Sequence, residues 1–501
     1  MDISKLIVNT QLNDSSPYYL QIATIIKAKI DDGSLTVGDK LPSERELALL
    51  FKVSRTTAIN AYRHLEKLSY IHIRKGSGTY VRDKYALQVK STEIPWPQLL
   101  KPYIQPSMAT LMSELLVNNV GDDKISLDAG MPDPNYYPIN VFNKLQVDFF
   151  PKLNPRDFGH IPVHGYQPLR HTITEMLGSE GVKCHCDDVI ILSGSQQGLY
   201  LSARVLIEPG DYVIIQAPTY LGAIQVFQSL GARILSLPEG NSFPFEILED
   251  YLTRYRPKLM YCIPSFHNPN GNTITIEDRK RLIQLAARYR LAILEDDPYS
   301  KLYYEDIPPL SLKALDTYGG VIYMSTFSKI LMPGLRLGYM VAQPAFINRI
   351  ILEKQYVDLH SSNISQWLLN LFITEGYLEK HLKKMRTIYK NRRNAMAEYL
   401  SYSLKAKLSF QVPKGGFYMW CKINERFSST KLLQEALKVG VSFIPGEGFY
   451  STSENNQELR LCFSQHNQKT IIEGISRLEK ATGRLSKFKL SNPKRNVKPI
   501  I

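Results

Sequence analysis

Ser325-Thr326-Phe327-Ser328-Lys329 leads through Ile330-Leu331-Met332-Pro333 into Gly334-Leu335-Arg336-Leu337-Gly338. The apolar run 321–325 that opens this stretch has the length and composition of a buried strand. It delivers a hydroxyl-rich loop, then a lysine, and seven residues later an arginine flanked by glycines. An amine held in this way can condense with an aldehyde. Thr326, Ser328 and Arg336 can donate to a phosphate on the same molecule, the arginine through two parallel N–H groups. Further apolar runs at 189–192, 212–216, 259–263 and 291–295 alternate with helical stretches. That rhythm predicts parallel strands joined by crossover helices from about residue 125 to 483.

Other elements of this region fall at the ends of the expected strands, where open α/β sheets bind ligands. Ser193-Gly194-Ser195-Gln196-Gln197-Gly198 joins the run 189–192 to a helix starting near Gln196, whose N-terminal N–H groups suit an anion. Asn268-Pro269-Asn270-Gly271 follows the run 259–263 and offers an amide to a ring hydroxyl. Glu295-Asp296-Asp297-Pro298-Tyr299 ends another strand, and a carboxylate there can keep a ring nitrogen protonated. Asp296 and Asp297 both lie at that strand end. Tyr299 can reach the ring's phenolic oxygen, and Tyr220, after Ala217-Pro218-Thr219, can border the ring.

The N-terminal region follows a different pattern. Residues 19–30 place apolar side chains at helical spacing. Ser43 and Glu46 form a capping-box pair for a helix ending near Phe51, and Ser54 caps another ending near Leu68. Residues 70–74 and 78–81 alternate around Lys75-Gly76-Ser77, which predicts a hairpin wing. The order helix, turn, helix, wing is that of a DNA reader whose second helix enters the major groove. On that helix Arg55, Thr56 and Thr57 can reach bases or phosphates, while Arg45, Lys75 and the main chain at Gly76 are placed to hold the backbone.

The 501 residues suit two domains and a linker, and 44% hydrophobic with 22% charged residues suits a globular chain. The expected domains are residues 1–82, a Pro-containing linker 83–125, a domain 126–483, and a basic tail 484–501. No apolar stretch approaches a membrane span and the N-terminus lacks a signal peptide's apolar core, so a cytoplasmic location is expected. The five cysteines read as reduced thiols. Cys184-His185-Cys186 lacks a second ligand pair, so no metal is expected. A net charge of +14 favours a polyanionic partner.

Residues 18–81 resemble the GntR family of winged-helix repressors through LPSERELA, VSRTT and the glycines of the wing. Residues of about 125–480 resemble the fold-type I, class I/II aminotransferases, which use pyridoxal 5′-phosphate. That resemblance implies an α/β domain with a mostly parallel central sheet and a smaller C-terminal α+β subdomain. It makes Lys329 the cofactor-bearing lysine and Asp296 the partner of the pyridine nitrogen. Asn268 and Tyr299 become partners of the phenolic oxygen, and Ser195, Gln196, Thr326, Ser328 and Arg336 a phosphate cup. Arg460, in Glu458-Leu459-Arg460-Leu461, resembles the arginine that grips a substrate carboxylate.

The combination resembles the MocR subfamily, which implies a head-to-tail homodimer binding operator DNA. Glu180 and Gln216 depart from that subfamily's usual residues and leave the effector open. The expected function is a cofactor-dependent regulator that senses an amine, an amino acid or the cofactor itself. An aminotransferase carrying a DNA-binding domain is the alternative.

Overall fold

The computed structural model describes residues 12, 16–74, 76–82, 94, 96–100, 123–240, 242–452 and 456–490. Lys75, most of the expected linker and residues 491–501 lie outside the described residues. The chain divides into two compact units, Met1–Ser107 and Met108–Ile501.

In the first unit, α1 (Tyr18–Asp31), α2 (Glu44–Phe51) and α3 (Arg55–Lys67) pack around Ile22, Ile26, Leu47, Ala58, Tyr62 and Leu65. The start of α2 is set by a reciprocal pair. Glu46 N donates to Ser43 Oγ at 3.3 Å, and Ser43 N donates to Glu46 Oε2 at 2.7 Å. Ser54 Oγ likewise accepts from Thr57 N at 3.1 Å to begin α3. Lys52, at φ 54°, turns the chain between the two helices. β2 (Ile71–Arg74) and β3 (Gly78–Val81) form the antiparallel wing. A short β1 (Lys40–Leu41), absent from the sequence reading, adds to the other edge of β3. Two residues carry too little pattern to be read as a strand.

The second unit is built on a seven-stranded sheet. Its strands are β5 (Val189–Leu192), β6 (Tyr212–Ala217), β7 (Arg233–Pro238), β8 (Leu259–Cys262), β9 (Ala292–Asp296), β10 (Val321–Thr326) and β11 (Gly338–Val341). Their order is β5-β11-β10-β9-β8-β6-β7. All neighbours are parallel except at β11, which runs antiparallel to both β10 and β5. Alternate side chains serve two cores, as period-2 geometry requires. Val213, Ile215, Tyr261 and Leu294 face one, while Ile214, Met260, Cys262 and Ile293 face the other. Helices cover both faces, which is why β5, β8 and β10 are buried throughout and read as continuous apolar runs.

One of the covering helices, α4 (Ser195–Leu206), follows β5 directly, and another, α5 (Pro344–Gln355), follows β11. A short β4 (Ile125–Ser126) pairs in parallel with β14 (Val441–Ser442). β12 (Leu408–Phe410), β13 (Tyr418–Ile423), β16 (Glu458–Cys462) and β15 (Ile444–Pro445) form, in the order β12-β13-β16-β15, the smaller antiparallel sheet of the C-terminal subdomain. In it β13 pairs with β16, setting Trp420 opposite Arg460. The last helix, α6 (Gln468–Leu490), does not stop at residue 483. Leu485 packs on the core and Ser486 Oγ donates to Glu425 Oε1 at 3.1 Å, so the expected tail begins as helix.

Among the described residues no helix is long and apolar enough to cross a membrane, and no cluster of three or more His, Cys, Asp or Glu side chains could hold a metal ion. Ser43→Ala removes one half of the reciprocal cap and should cost about 1 kcal/mol of local stability. Amide exchange across Glu44–Phe51 in the full chain, faster than in the parent while α1 is unchanged, would show it.

Candidate functional site

The first unit presents α3 with Arg55 and Thr56 exposed at its N-terminus, and Arg45 exposed on α2. Arg55 Nη2 is held by Glu44 Oε2 at 3.1 Å in an exposed ion pair. Such a pair is weak and easily exchanged for a phosphate. Thr57 is placed differently from the sequence reading. Its hydroxyl lies 2.8 Å from Ser54 Oγ and its amide donates to the same atom, so it serves the helix cap first. Gly76 is exposed at the wing with φ 80°, a conformation glycine adopts without strain. Arg74 was missed by sequence reasoning; its guanidinium lies 5.3 Å from the Tyr80 ring centroid on the wing stem.

In the second unit, β9, β10 and the strands beside them bring the predicted groups to one end of the sheet. Asp296 ends β9, is buried, and accepts from Tyr261 Oη at 2.8 Å through Oδ2. Its other oxygen, Oδ1, is buried with no hydrogen-bond partner among the described residues. Burial pushes the Asp296 carboxyl up to about 7, against the opposing pull of Tyr261. Asp297, by contrast, has both carboxylate oxygens engaged. Its Oδ2 accepts from Tyr323 Oη at 2.8 Å and its Oδ1 from Ser300 N at 3.1 Å, so it is spent on the fold.

Lys329 lies in the one-turn helix Phe327–Ile330 after β10, with Nζ donating to the Gly130 carbonyl at 2.7 Å. Burial, and then the charge of Arg460, pull its ammonium down to about 8. Arg336, at φ 52°, donates from Nη2 to the Ser193 carbonyl at 3.0 Å. That contact needs Gly194, since a Cβ there would stand 2.9 Å from the same Nη2. Gly194, at φ 100°, also starts α4, so Ser195 opens the helix beside Arg336. Thr326 Oγ1 accepts from Ser328 N at 3.1 Å, and Tyr220 Oη donates to Gln196 Oε1 at 3.0 Å.

Arg460 is buried on β16. It donates to Asn268 Oδ1 at 2.9 Å and to the Asp128 carbonyl at 2.7 Å, and lies 4.1 Å over the Tyr418 ring. Its Nε has no partner, and among the described residues no carboxylate forms an ion pair with it. A buried cation lacking a counter-ion is costly unless an anion completes it. Tyr299 Oη lies 2.9 Å from Tyr418 Oη, which extends the same polar chain.

Sequence reasoning missed Tyr261, Tyr418 and Gly130. Tyr261 had a signal, being the last residue but one of a strand paired to the strand of Asp296. Tyr418 and the Gly130 carbonyl arrive from segments distant in sequence, and no local pattern marks them.

Residues 124–478 match the family described as Aminotransferase class I and II, and residues 18–81 match Bacterial regulatory proteins, gntR family. The Aromatic-amino-acid aminotransferase 1 of Thermococcus litoralis is 35% identical over 74% of this chain and 90% of its own. The Uncharacterized HTH-type transcriptional regulator YisV of Bacillus subtilis is 30% identical over 94% of this chain and 96% of its own, a span that takes in both matched regions. Among solved structures, a kynurenine aminotransferase of Pyrococcus horikoshii, in complex with PMP, superposes with a TM-score of 0.72 at 36% identity. That match covers 76% of this chain and 95% of the other. The chain thus joins a gntR-family DNA-binding domain to an aminotransferase domain of fold type I.

Only a neutral amine attacks a carbonyl. With its ammonium near 8 rather than 10.5, Lys329 carries roughly two orders of magnitude more neutral amine at pH 8 than a free lysine. Labelling by a small aromatic aldehyde, trapped with borohydride and mapped by peptide mass, should rise at Lys329 with a midpoint near pH 8. A midpoint near that of surface lysines would contradict the depressed value.

Proposed function

We propose, from the premise that the chain belongs to the class I and II aminotransferase family and carries a gntR-family domain ahead of it, that it is a DNA-binding transcription regulator. Its second unit holds pyridoxal 5′-phosphate and reads an amine or amino acid. The observation that carries the reading is Asp296 Oδ1, a buried carboxylate oxygen without a donor, in the same site as a lysine of depressed basicity. A protonated ring nitrogen is the donor that such an oxygen fits.

When bound, the cofactor supplies an aldehyde for Lys329 and a ring that withdraws electrons. Asp296 would hold the proton on the ring nitrogen. Asn268 and Tyr299 would serve the phenolic oxygen, and Tyr220 the ring. Ser195, Gln196, Thr326, Ser328 and Arg336 would hold the phosphate, with α4 adding its N-terminal N–H groups. Lys329 would hold or move a proton at Nζ. Arg460, paired with no carboxylate among the described residues, holds a carboxylate on an amino-acid effector. In the first unit Arg55 and Thr56 meet the major groove, while Arg45, Thr57, Lys75 and Gly76 hold the backbone. Effector chemistry biases the DNA-competent arrangement of the protein by differential binding to its two states.

The protein acts in the cytoplasm as a head-to-tail homodimer. Leu352, Tyr356, Val357 and Leu359, all exposed within one short stretch of the second unit, support a subunit contact. A second reading, turnover as an aminotransferase, is favoured by the joint presence of Lys329, Asp296 and Arg460 in the site.

The deciding experiment measures binding of the full-length protein to its own upstream DNA, with and without pyridoxal 5′-phosphate and candidate amines. Binding that shifts with cofactor and amine is expected; none under any condition sinks the regulator reading. Transamination that turns over steadily and ignores DNA would select the second reading. Lys329→Ala should abolish the cofactor's absorbance near the visible edge. Arg460→Ala should abolish the response to amino acids, and an unchanged response would make the cofactor itself the signal. Arg55→Ala should weaken specific DNA binding by about 1–3 kcal/mol if it reads a base, or lower the salt slope by about one if it contacts phosphate.

A further inference from the structure

An ion pair between a fully buried lysine and a half-buried aspartate, outside the groups assigned so far, sits directly behind the start of α4. Lys354, in the last turn of α5, is fully buried, and Nζ donates to Asp358 Oδ1 at 2.6 Å and Oδ2 at 2.8 Å. It also reaches Gln197 Oε1 at 3.2 Å and Ser361 Oγ at 3.3 Å. Asp358 Oδ2 accepts in turn from Ser193 Oγ and from Gln197 Nε2, both at 2.8 Å.

These bonds converge on one residue. Ser193 N donates to Gln197 Oε1 at 2.8 Å, and Ser193 Oγ lies 2.9 Å from Ser361 Oγ as well as bonding Asp358. The Ser193 carbonyl accepts from Arg336 Nη2 at 3.0 Å. Every polar group of Ser193 is therefore fixed, and Ser193 immediately precedes Gly194 and the first residue of α4. The position of the Ser195 N–H and the aim of the Arg336 guanidinium both depend on it.

Burying an ammonium is expensive, and a bland helix end would not demand it. Burial pulls the Lys354 ammonium down, with Asp358 opposing. Burial alone would raise Asp358, yet the donors from Lys354, Gln197 and Ser193 outweigh it and hold the carboxyl below its ordinary value. Asp358 is thus held in its charged form, and a charged acceptor holds Ser193 Oγ and Gln197 Nε2 more firmly than a neutral one could.

We infer that Lys354 and Asp358 are positioning residues for the cofactor phosphate, acting through Ser193 and Gln197 on the N-terminus of α4 and on Arg336. The inference rests on the reading that the second unit holds pyridoxal 5′-phosphate. Neither residue touches the phosphate; they set the geometry of the groups that do. Such support decides how closely donors match a ligand.

The test compares two ligands that differ only in the phosphate. Dissociation constants for pyridoxal 5′-phosphate and for pyridoxal are measured by absorbance titration of the full-length protein, its Asp358→Asn variant and the double variant Lys354→Met/Asp358→Leu. The double variant leaves no buried charge unpaired, so it keeps the question answerable if the single variant fails to fold. Thermal unfolding without ligand checks that each variant is folded.

The expected result is a loss of about tenfold or more for pyridoxal 5′-phosphate, with pyridoxal changed less than twofold. Equal losses for both ligands would mark a merely structural pair and overturn the inference, as would unchanged affinity for both. Failure of the unmodified protein to bind pyridoxal 5′-phosphate would instead fell the cofactor reading, and the inference with it.

Discussion

Tyr261 Oη donates to Asp296 Oδ2 at 2.8 Å inside the sheet, and this bond decides which carboxylate oxygen is left for chemistry. A carboxylate buried with no donors would protonate and become useless as an ion partner. One satisfied with donors on both oxygens would have nothing left to offer. Among the described residues one donor reaches Asp296, at Oδ2, so Oδ1 keeps its acceptor capacity in a buried setting. Lys329 feels the same dryness, and burial lowers its ammonium while it raises the carboxyl. The two groups are brought near neutrality from opposite sides by one cause, which suits proton exchange at the pH of a cell.

The sheet frame behind this was legible because it is parallel and covered on both faces. Strands such as β5, β8 and β10 are buried at every residue, so their apolar runs stood out. β7 and β11 did not. β7 is an edge strand with only Leu237 buried, and β11 begins at Gly338, the last residue of the motif that drew attention. That glycine is there for packing, since a Cβ at Gly338 would stand 2.7 Å from the Ser325 carbonyl and 3.0 Å from Ser195 N. Motif residues near Lys329 could be named from spacing because one strand and one loop carry them. Tyr418, Gly130, Lys354 and Asp358 could not, because their relation to the site exists only after distant segments pack.

In the first unit the legible part was the capping chemistry. Ser43 with Glu46, and Ser54 with Thr57, act within four residues, so local sequence determines them. The same locality gives Thr57 a duty in the fold as well. Thr57 sits on the exposed-looking start of α3, but a hydroxyl three residues after a serine N-cap is first in reach of that serine. Arg55 has no such local claim, and its tie to Glu44 is the kind that solvent and salt already loosen.

The antiparallel insertion of β11 also sets an order of assembly. Among the strands of the sheet β5 pairs with β11 alone, so that pairing of residues 189–192 must wait for residues 338–341 to leave the ribosome. At synthesis rates of roughly 5–20 residues per second that interval is on the order of ten seconds. During it β5 has no strand beside it, with Ile191 N able to bond the earlier His164 carbonyl at 2.8 Å, and β6, β8, β9 and β10 can pair among themselves without it. The loop from Ser193 to Ser195 therefore takes its final shape late in the birth of the chain, when the strand that carries Gly338 closes the gap and brings Arg336 with it.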